Sequence, residues 1–316
     1  MRAMVIDAFG GPERLRVAEV PAPTSGAEEV LIAIACTSVN PVDWKIREGM
    51  LADMFPHSFP LILGWDAAGT VSAVGRNADR FKTGDKVFAY CRKPQIQFGT
   101  YCESVAVHES AVALMPANLG FAEAATIPLA GLTAWQSLFD TAKLSAGEKV
   151  LIHAGAGGVG SLAIQFARHA GATVYTTARA ANHDYVQGLG AYVAIDYAKE
   201  NFVEALKKRE PGGIDVVFDT IGGHVQQRSY KVLRKGGRLV SIISIPDPEE
   251  ARPYDVRTAF VFVSPNGMQL RKIADLVESG AVLPAAFEVM RLEDAAKAQE
   301  LSRKGHIRGK IVLRIR

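Results

Sequence analysis

Residues 151–160 read LIHAGAGGVG, and the fold turns on this stretch. An apolar, β-like run, KVLIH at 149–153, ends in GAGGVG, which holds four glycines among six residues. In the segment that follows, Val159, Leu162, Ala163, Phe166 and Ala167 recur at helical spacing and share one face. Gly171 stops that helix. The glycines fit G-x-G-x-x-G through Gly155, Gly157 and Gly160, directly after a strand and directly before a helix, the context that gives the pattern its meaning. Gly155 permits the tight turn, and Gly157 lets the backbone approach a pyrophosphate that faces the positive end of the helix. Gly160 lets helix and strand pack closely. Gly158 and Val159, inside the pattern, are cofactor-binding candidates with them. The alternative is a tight strand-to-helix turn that binds nothing.

Further strands follow at ATVYTT (172–177), AYVAID (191–196), IDVVFD (214–219), GRLVSIIS (237–244) and TAFVFV (258–263). Amphipathic segments fill the first gaps. Continuous apolar strands alternating with helices imply a parallel sheet covered on both faces, and six strands suit a doubly wound Rossmann domain. Upstream of about residue 120 the texture differs. MRAMVIDAF, EEVLIAIACTSV, AAGTVSAVG, GDKVFAY and ESVAVH are short β-like runs divided by Gly and Pro. FAEAATIPLAGLTAWQSLFDTA reads as one helix with Pro128 as a kink or start point. After 265 come a helix at 267–279, an extended AVLPAAFEV, a helix at 292–304 and a last strand, KIVLRI. That strand needs a sheet to join, so the tail is expected to fold back onto the first domain.

The chain has 316 residues, enough for two domains, with 48% apolar and 22% charged residues. A net charge of +3 is far from a nucleic-acid signature. No stretch approaches the ~20 apolar residues of a membrane span, and the start carries no long apolar signal core. Cys36, Cys91 and Cys102 are scattered, which reads as reduced thiols in a cytoplasmic protein with no nucleic-acid and no membrane partner.

The end of the second strand selects the dinucleotide. NAD sites place Asp or Glu there, about 20 residues beyond the first glycine, to accept the ribose 2′-hydroxyl. This chain has Thr176-Thr177-Ala178-Arg179, and its next acid, Asp184, falls inside the following helix. Hydroxyls and a guanidinium suit a 2′-phosphate. NADPH is therefore the expected cofactor, with Thr177 and Arg179 on the phosphate; the alternative for Arg179 is a solvated charge at a helix start.

SVNPVDWKIREG (38–49), PLILGWDAAGTVSAVG (60–75), FKTGDKVFAY (81–90), ATIPLAGLTAWQSL (125–138) and AGAGGVGSLAIQFAR (154–168) resemble the medium-chain dehydrogenase/reductase superfamily. The resemblance runs over nearly the whole chain and keeps motif order. It implies an α/β protein with a GroES-like β domain formed by both termini (1–121 and 266–316) and an inserted Rossmann domain (122–265). Zinc enzymes of the superfamily carry Cys, His and Cys at positions that match Asn40, Trp65 and Leu129 here, none of them a zinc ligand. The four-cysteine lobe is missing too. Asp66 remains, a single carboxylate. The chain thus resembles the zinc-free quinone oxidoreductase branch and, through NPVDWK, AIDYAKEN (194–201), VVFDTIG (216–222) and SPNGMQL, the alkenal/enone oxidoreductases.

Several roles follow from that resemblance. Asn40 and Lys45 would face the nicotinamide and its ribose, and Lys45 could donate to a substrate carbonyl; the alternative is an exposed lysine on a turn. Tyr197 would stack by the adenosine phosphate, or be an ordinary core or surface tyrosine. Ile221 and Gly222 would end the fourth strand at the cofactor edge of the sheet, and Val263 and Ser264 would approach the nicotinamide amide. Arg308 and Lys310, in HIRGKIV, match an R-G-K that reaches back to the cofactor, against ordinary surface cations. Trp44, Trp65, Tyr90, Phe98 and Tyr101 are candidates for an apolar substrate pocket between the domains.

Without a Lewis acid, a substrate that spreads the charge of hydride addition over its own π system is favoured, so an enone, an alkenal or a quinone is expected. The rivals are quinone reduction in one-electron steps and a non-catalytic NADPH- or RNA-binding protein. AFVFV (259–263) reads as an exposed sheet edge that would pair with its copy in a homodimer.

Overall fold

A computed structural model describes residues 1–316. The chain divides into two compact units. One comprises Met1–Leu132, Ser264–Gly280 and Pro284–Arg316; the other comprises Thr133–Val263 and Ala281–Leu283. The first division falls at 132/133, against 121/122 in the sequence reading, because the helix Pro128–Trp135 straddles it.

The second unit is built on a six-stranded parallel sheet. Its spatial order is Val193–Ile195, Thr173–Thr177, Lys149–Ile152, Ile214–Asp219, Leu233–Ser241 and Arg257–Phe260. This is the 3-2-1-4-5-6 order of a Rossmann sheet. All six strands lie where the sequence placed them, shifted by a few residues at their ends. The helix Gly158–His169 packs Leu162, Ala163, Phe166 and Ala167 into the core, as its apolar face requires, while Val159 stays half-exposed. Beneath the sheet, Leu151, Tyr175, Val217 and Leu239 meet Phe202 and Leu206 of the helix Phe202–Arg209 in a closed apolar cluster.

In the first unit a seven-stranded sheet is organised around the strand Glu29–Val39, in which Val30, Ile32, Ile34 and Cys36 alternate into the core. The last strand, Lys310–Arg314, pairs antiparallel with it, Ile311 opposite Val39, so the tail does return to the first domain. A four-stranded sheet, Arg16–Glu19, Arg2–Ile6, His57–Ile62 and Ile96–Phe98 in spatial order, completes the unit.

The expected single helix from 121 is three pieces: Phe121–Ala124, Pro128–Trp135 and a π-helical turn Gln136–Thr141. Pro128 is a start point rather than a kink, since a first-turn proline gives up an N–H that would be unpaired anyway. The N–H of the next residue, Leu129, is one of the orphan donors of a helix start, and its partner defines the site below.

Candidate active site

Each unit has its own polar centre. In the sheet unit the glycine turn forms as its sequence demands. A Cβ on Gly155 would lie 2.0 Å from Thr176 Oγ1, and one on Gly160 would lie 2.3 Å from the Ala154 carbonyl oxygen. Gly157 has only the Ala154 carbonyl near, at 3.4 Å, so its outer face is open. It precedes the helix Gly158–His169, whose first turn contains Gly158 and Val159 with no acidic residue. Bare backbone, free helix-start N–H groups and no competing carboxylate together fit a bound pyrophosphate.

Beyond the second strand, Arg179 and Tyr197 come together. Both are exposed, and Arg179 Nε donates to the Tyr197 hydroxyl at 3.1 Å. Thr177 behaves differently from its expected role. It is buried, and its hydroxyl lies 3.1 Å from His153 Nδ1 and accepts from the Ala154 N–H at 3.2 Å. The side chain turns into the protein, where His153 and the Ala154 N–H engage its hydroxyl.

At the end of the fourth strand Asp219 is fully buried. Its Oδ1 accepts from the N–H groups of Ile221 (3.0 Å) and Gly222 (2.9 Å), and its Oδ2 from Gln226 Nε2 (3.0 Å) and Ser241 Oγ (2.9 Å). This carboxylate shapes the turn on which Ile221 stands exposed and Gly222 takes a φ of +77°. Val263 and Ser264 fall on the division between the units, the first buried and the second exposed.

The centre of the other unit is Asp66, also fully buried. Its Oδ2 accepts from Ser38 Oγ (2.6 Å) and Asn40 Nδ2 (2.7 Å), and its Oδ1 from the Leu129 N–H (2.7 Å). Lys310 Nζ lies 3.4 Å from the same Oδ2 and donates a short hydrogen bond to Asn40 Oδ1. Desolvation pulls the Lys310 ammonium below its usual pKa, and the nearby carboxylates of Asp66 and Asp43 oppose that shift. Asn40 is engaged internally with Lys310, Asp66 and the Ser38 carbonyl. Lys310 is buried, whereas its companion Arg308 is exposed.

Asn40 also starts the helix Pro41–Arg47, which carries Lys45. The Asn40 N–H donates to Asp43 Oδ2 at 2.8 Å, and the Tyr101 hydroxyl donates to the same oxygen at 2.8 Å. Asp43 Oδ1 is buried without a partner, and burial raises the Asp43 carboxyl to about 7. Lys45 is half-buried, its pKa drawn down by desolvation, with Nζ 5.7 Å from the centre of the Trp44 ring. Of the aromatic candidates, Trp65, Tyr90 and Tyr101 are core, Trp44 is half-buried and Phe98 is exposed.

Two family descriptions match the chain: an alcohol dehydrogenase GroES-like domain over residues 26–135 and a zinc-binding dehydrogenase over residues 189–313. The NADPH-dependent alkenal/one oxidoreductase of Arabidopsis thaliana is 38% identical over 99% of this chain and 79% of its own length. The chain belongs to the medium-chain dehydrogenase/reductase superfamily. The 2-methylene-furan-3-one reductase of Solanum lycopersicum is 36% identical over the same shares. The solved quinone oxidoreductase of Coxiella burnetii superposes with a TM-score of 0.90 at 34% identity, covering 100% of this chain and 99% of that one.

The zinc in one family description does not fit these residues. The Asn40 side chain and the Leu129 amide both end on Asp66, next in sequence to Trp65, and Lys310 supplies the positive charge. No three His, Cys, Asp or Glu side chains cluster as a ligand set. The sequence reading passed over Asp43 and His153, took Tyr101 only as a candidate for a substrate pocket and gave Asp66 no role. Asp43 was legible, since Asn-x-x-Asp is a capping pattern; the others have partners far away in the chain.

The Asp43 carboxyl generates a pH prediction. Its folded pKa of about 7 lies above its ordinary 3.8. Between those values the folded chain keeps a proton that the unfolded chain has released, so stability is present below about pH 4 and is lost as pH rises through 7. At ~1.4 kcal/mol per pKa unit the effect is about 4 kcal/mol. Asp43→Asn should therefore gain thermal stability over the wild type at pH 8, and the gap should close towards pH 4. A gap in melting temperature that stays constant with pH would remove the assignment.

Proposed function

We propose that the protein is a zinc-independent NADPH-dependent oxidoreductase that reduces the activated C=C of an alkenal or enone, or a quinone. The observation that carries this reading is the Asp66–Lys310 ion pair. It neutralises the Asp66 charge within the first unit and, with the Asn40 amide and the Leu129 N–H, occupies the one carboxylate there that a Lewis-acidic metal could have used. A substrate without metal assistance must stabilise its own charge, which a conjugated carbonyl or quinone does by delocalisation onto oxygen. The names of the Arabidopsis and tomato relatives agree with this chemistry.

NADPH, when bound, supplies the hydride. The chain holds its pyrophosphate on Gly155, Gly157, Gly158, Val159 and Gly160, and its 2′-phosphate with Arg179 beside Tyr197. Ile221, Gly222, Val263, Ser264, Arg308 and Lys310 remain assigned to the cofactor, Lys310 through the one ammonium N–H that Asn40 and Asp66 leave unspent. Lys45 is assigned to the substrate oxygen. Partial desolvation makes its ammonium a strong donor, so it stabilises charge that develops there as a hydride reaches the β-carbon. A proton at the α-carbon then completes reduction of an enone.

The strand Arg257–Phe260 is the open edge of its sheet, and we assign it to pairing with a second copy in a homodimer. Three buried, unpaired thiols accord with a reducing cytoplasmic setting. No helix is long and apolar enough to cross a membrane.

Three measurements test the proposal. NADPH oxidation should be fast with an enone and at least about a hundredfold slower with the matching saturated ketone; equal turnover would defeat the reaction assignment. Arg179→Glu should weaken NADPH roughly tenfold to a hundredfold, the worth of a charged hydrogen bond of ~1.5–3 kcal/mol, and leave NADH within about threefold. An unchanged coenzyme preference would refute that contact. Light scattering at micromolar concentration should give a dimer mass, and a monomer would dismiss the edge pairing.

A further inference from the structure

His153 is buried at the end of the first parallel strand, and the function proposed above gives it no part. Its protons can be counted. The Ser229 hydroxyl donates to the Val225 carbonyl at 2.7 Å, so toward His153 Nε2, 2.9 Å away, it can only accept. Nε2 therefore carries the ring proton. Burial lowers the ring's pKa to about 4, so the imidazole is neutral and Nδ1 is a bare acceptor. The Thr177 hydroxyl, 3.1 Å away, must donate to it. With its proton directed there, Thr177 Oγ1 offers a lone pair to the Ala154 N–H at 3.2 Å, while the Thr177 carbonyl accepts from the Gly155 N–H at 3.1 Å.

The chain Val225–Ser229–His153–Thr177–Ala154 thus has one direction throughout. It ends on a residue with φ +50°, in the left-handed region that a side chain resists, immediately before the first glycine of the turn. The Thr220 hydroxyl fixes the other side by donating to the His153 carbonyl at 2.8 Å, and the Phe202 ring meets the imidazole edge-on at 4.9 Å.

We propose that neutral His153 is a positioning residue for the cofactor. Through the Thr177 hydroxyl it presets the left-handed Ala154 and so the glycine turn that takes the pyrophosphate. The inference rests on the NADPH reading and makes a demand that a 2′-phosphate contact does not. Because the pyrophosphate is common to both coenzymes, breaking the chain must weaken NADPH and NADH alike.

The test measures dissociation constants of both coenzymes by fluorescence, with melting temperatures alongside. His153→Asn places an amide oxygen where Nδ1 stood and keeps the acceptor for Thr177; His153→Gln reaches toward Ser229 and removes it. His153→Gln should weaken NADPH and NADH by a similar factor, roughly tenfold, and His153→Asn should recover most of that loss at a comparable melting temperature. Thr177→Val should match His153→Gln, Thr177→Ser should restore binding, and the Val and Gln changes together should cost little more than either alone.

Equal coenzyme affinities in the Asn and Gln variants, or losses that follow melting temperature alone, would overturn the inference. So would a loss in Thr177→Val confined to NADPH, which would return Thr177 to the 2′-phosphate. If His153→Gln fails to fold, the Thr177 pair decides the matter. A wild type that binds neither coenzyme defeats the cofactor reading itself; a wild type that binds, with every variant equal to it, defeats only the role of His153.

Discussion

A buried carboxylate with four donors organises the unit that contains both termini. Moving one charge into a dry interior costs several kcal/mol even after relaxation, so Asp66 is tolerable only with its partners in place. Those partners come from three remote parts of the chain: Ser38 and Asn40 at the end of the central strand, Leu129 at a helix start and Lys310 on the returning tail. The electrostatic requirement therefore closes the unit as firmly as its strand pairing does. It also fixes two helix starts, the one at Pro128 through the Leu129 amide and the one at Pro41 through the orientation of Asn40.

The same arrangement limits the chemistry. Where related dehydrogenases carry metal ligands, this chain carries an ion pair whose charges already cancel. Polarising an unconjugated carbonyl would need a concentrated positive charge at the oxygen, and Lys310 shares its charge with Asp66. Lys45 offers a single hydrogen-bond donor from a half-buried position.

The parallel-sheet half was legible in the sequence because its signals are local. Apolar runs of four to six residues, the 3.6-residue periodicity of 159–167 and the glycine spacing each lie within one window. The other unit was harder. The strands Arg16–Glu19, Ile96–Phe98 and Val112–Leu114 have three or four residues, too few to show an alternation of inside and outside. The inner site was harder again, since its bonds span the chain: Lys310 is 270 positions from Asn40, and Tyr101 is 58 from Asp43. Thr177 was found by position, but its inward turn was not legible, because which way a hydroxyl turns depends here on a histidine 24 residues earlier.

Saturation separates scaffold from site. Asp66 and Asp219 are both fully buried, and each has both oxygens hydrogen-bonded; their work is to hold backbone. Thr177 is likewise fully occupied. Asp43 Oδ1 and Trp44 Nε1, by contrast, are buried without a partner, as are atoms elsewhere such as Ser137 Oγ and Tyr230 Oη. Asp43 and Lys45 lie on the helix Pro41–Arg47, and Lys310 bonds to the residue that caps it. Buried polar groups in a folded protein are satisfied almost without exception, so two unpartnered atoms on this one short helix, beside the half-buried Lys45, set it apart from the saturated carboxylates.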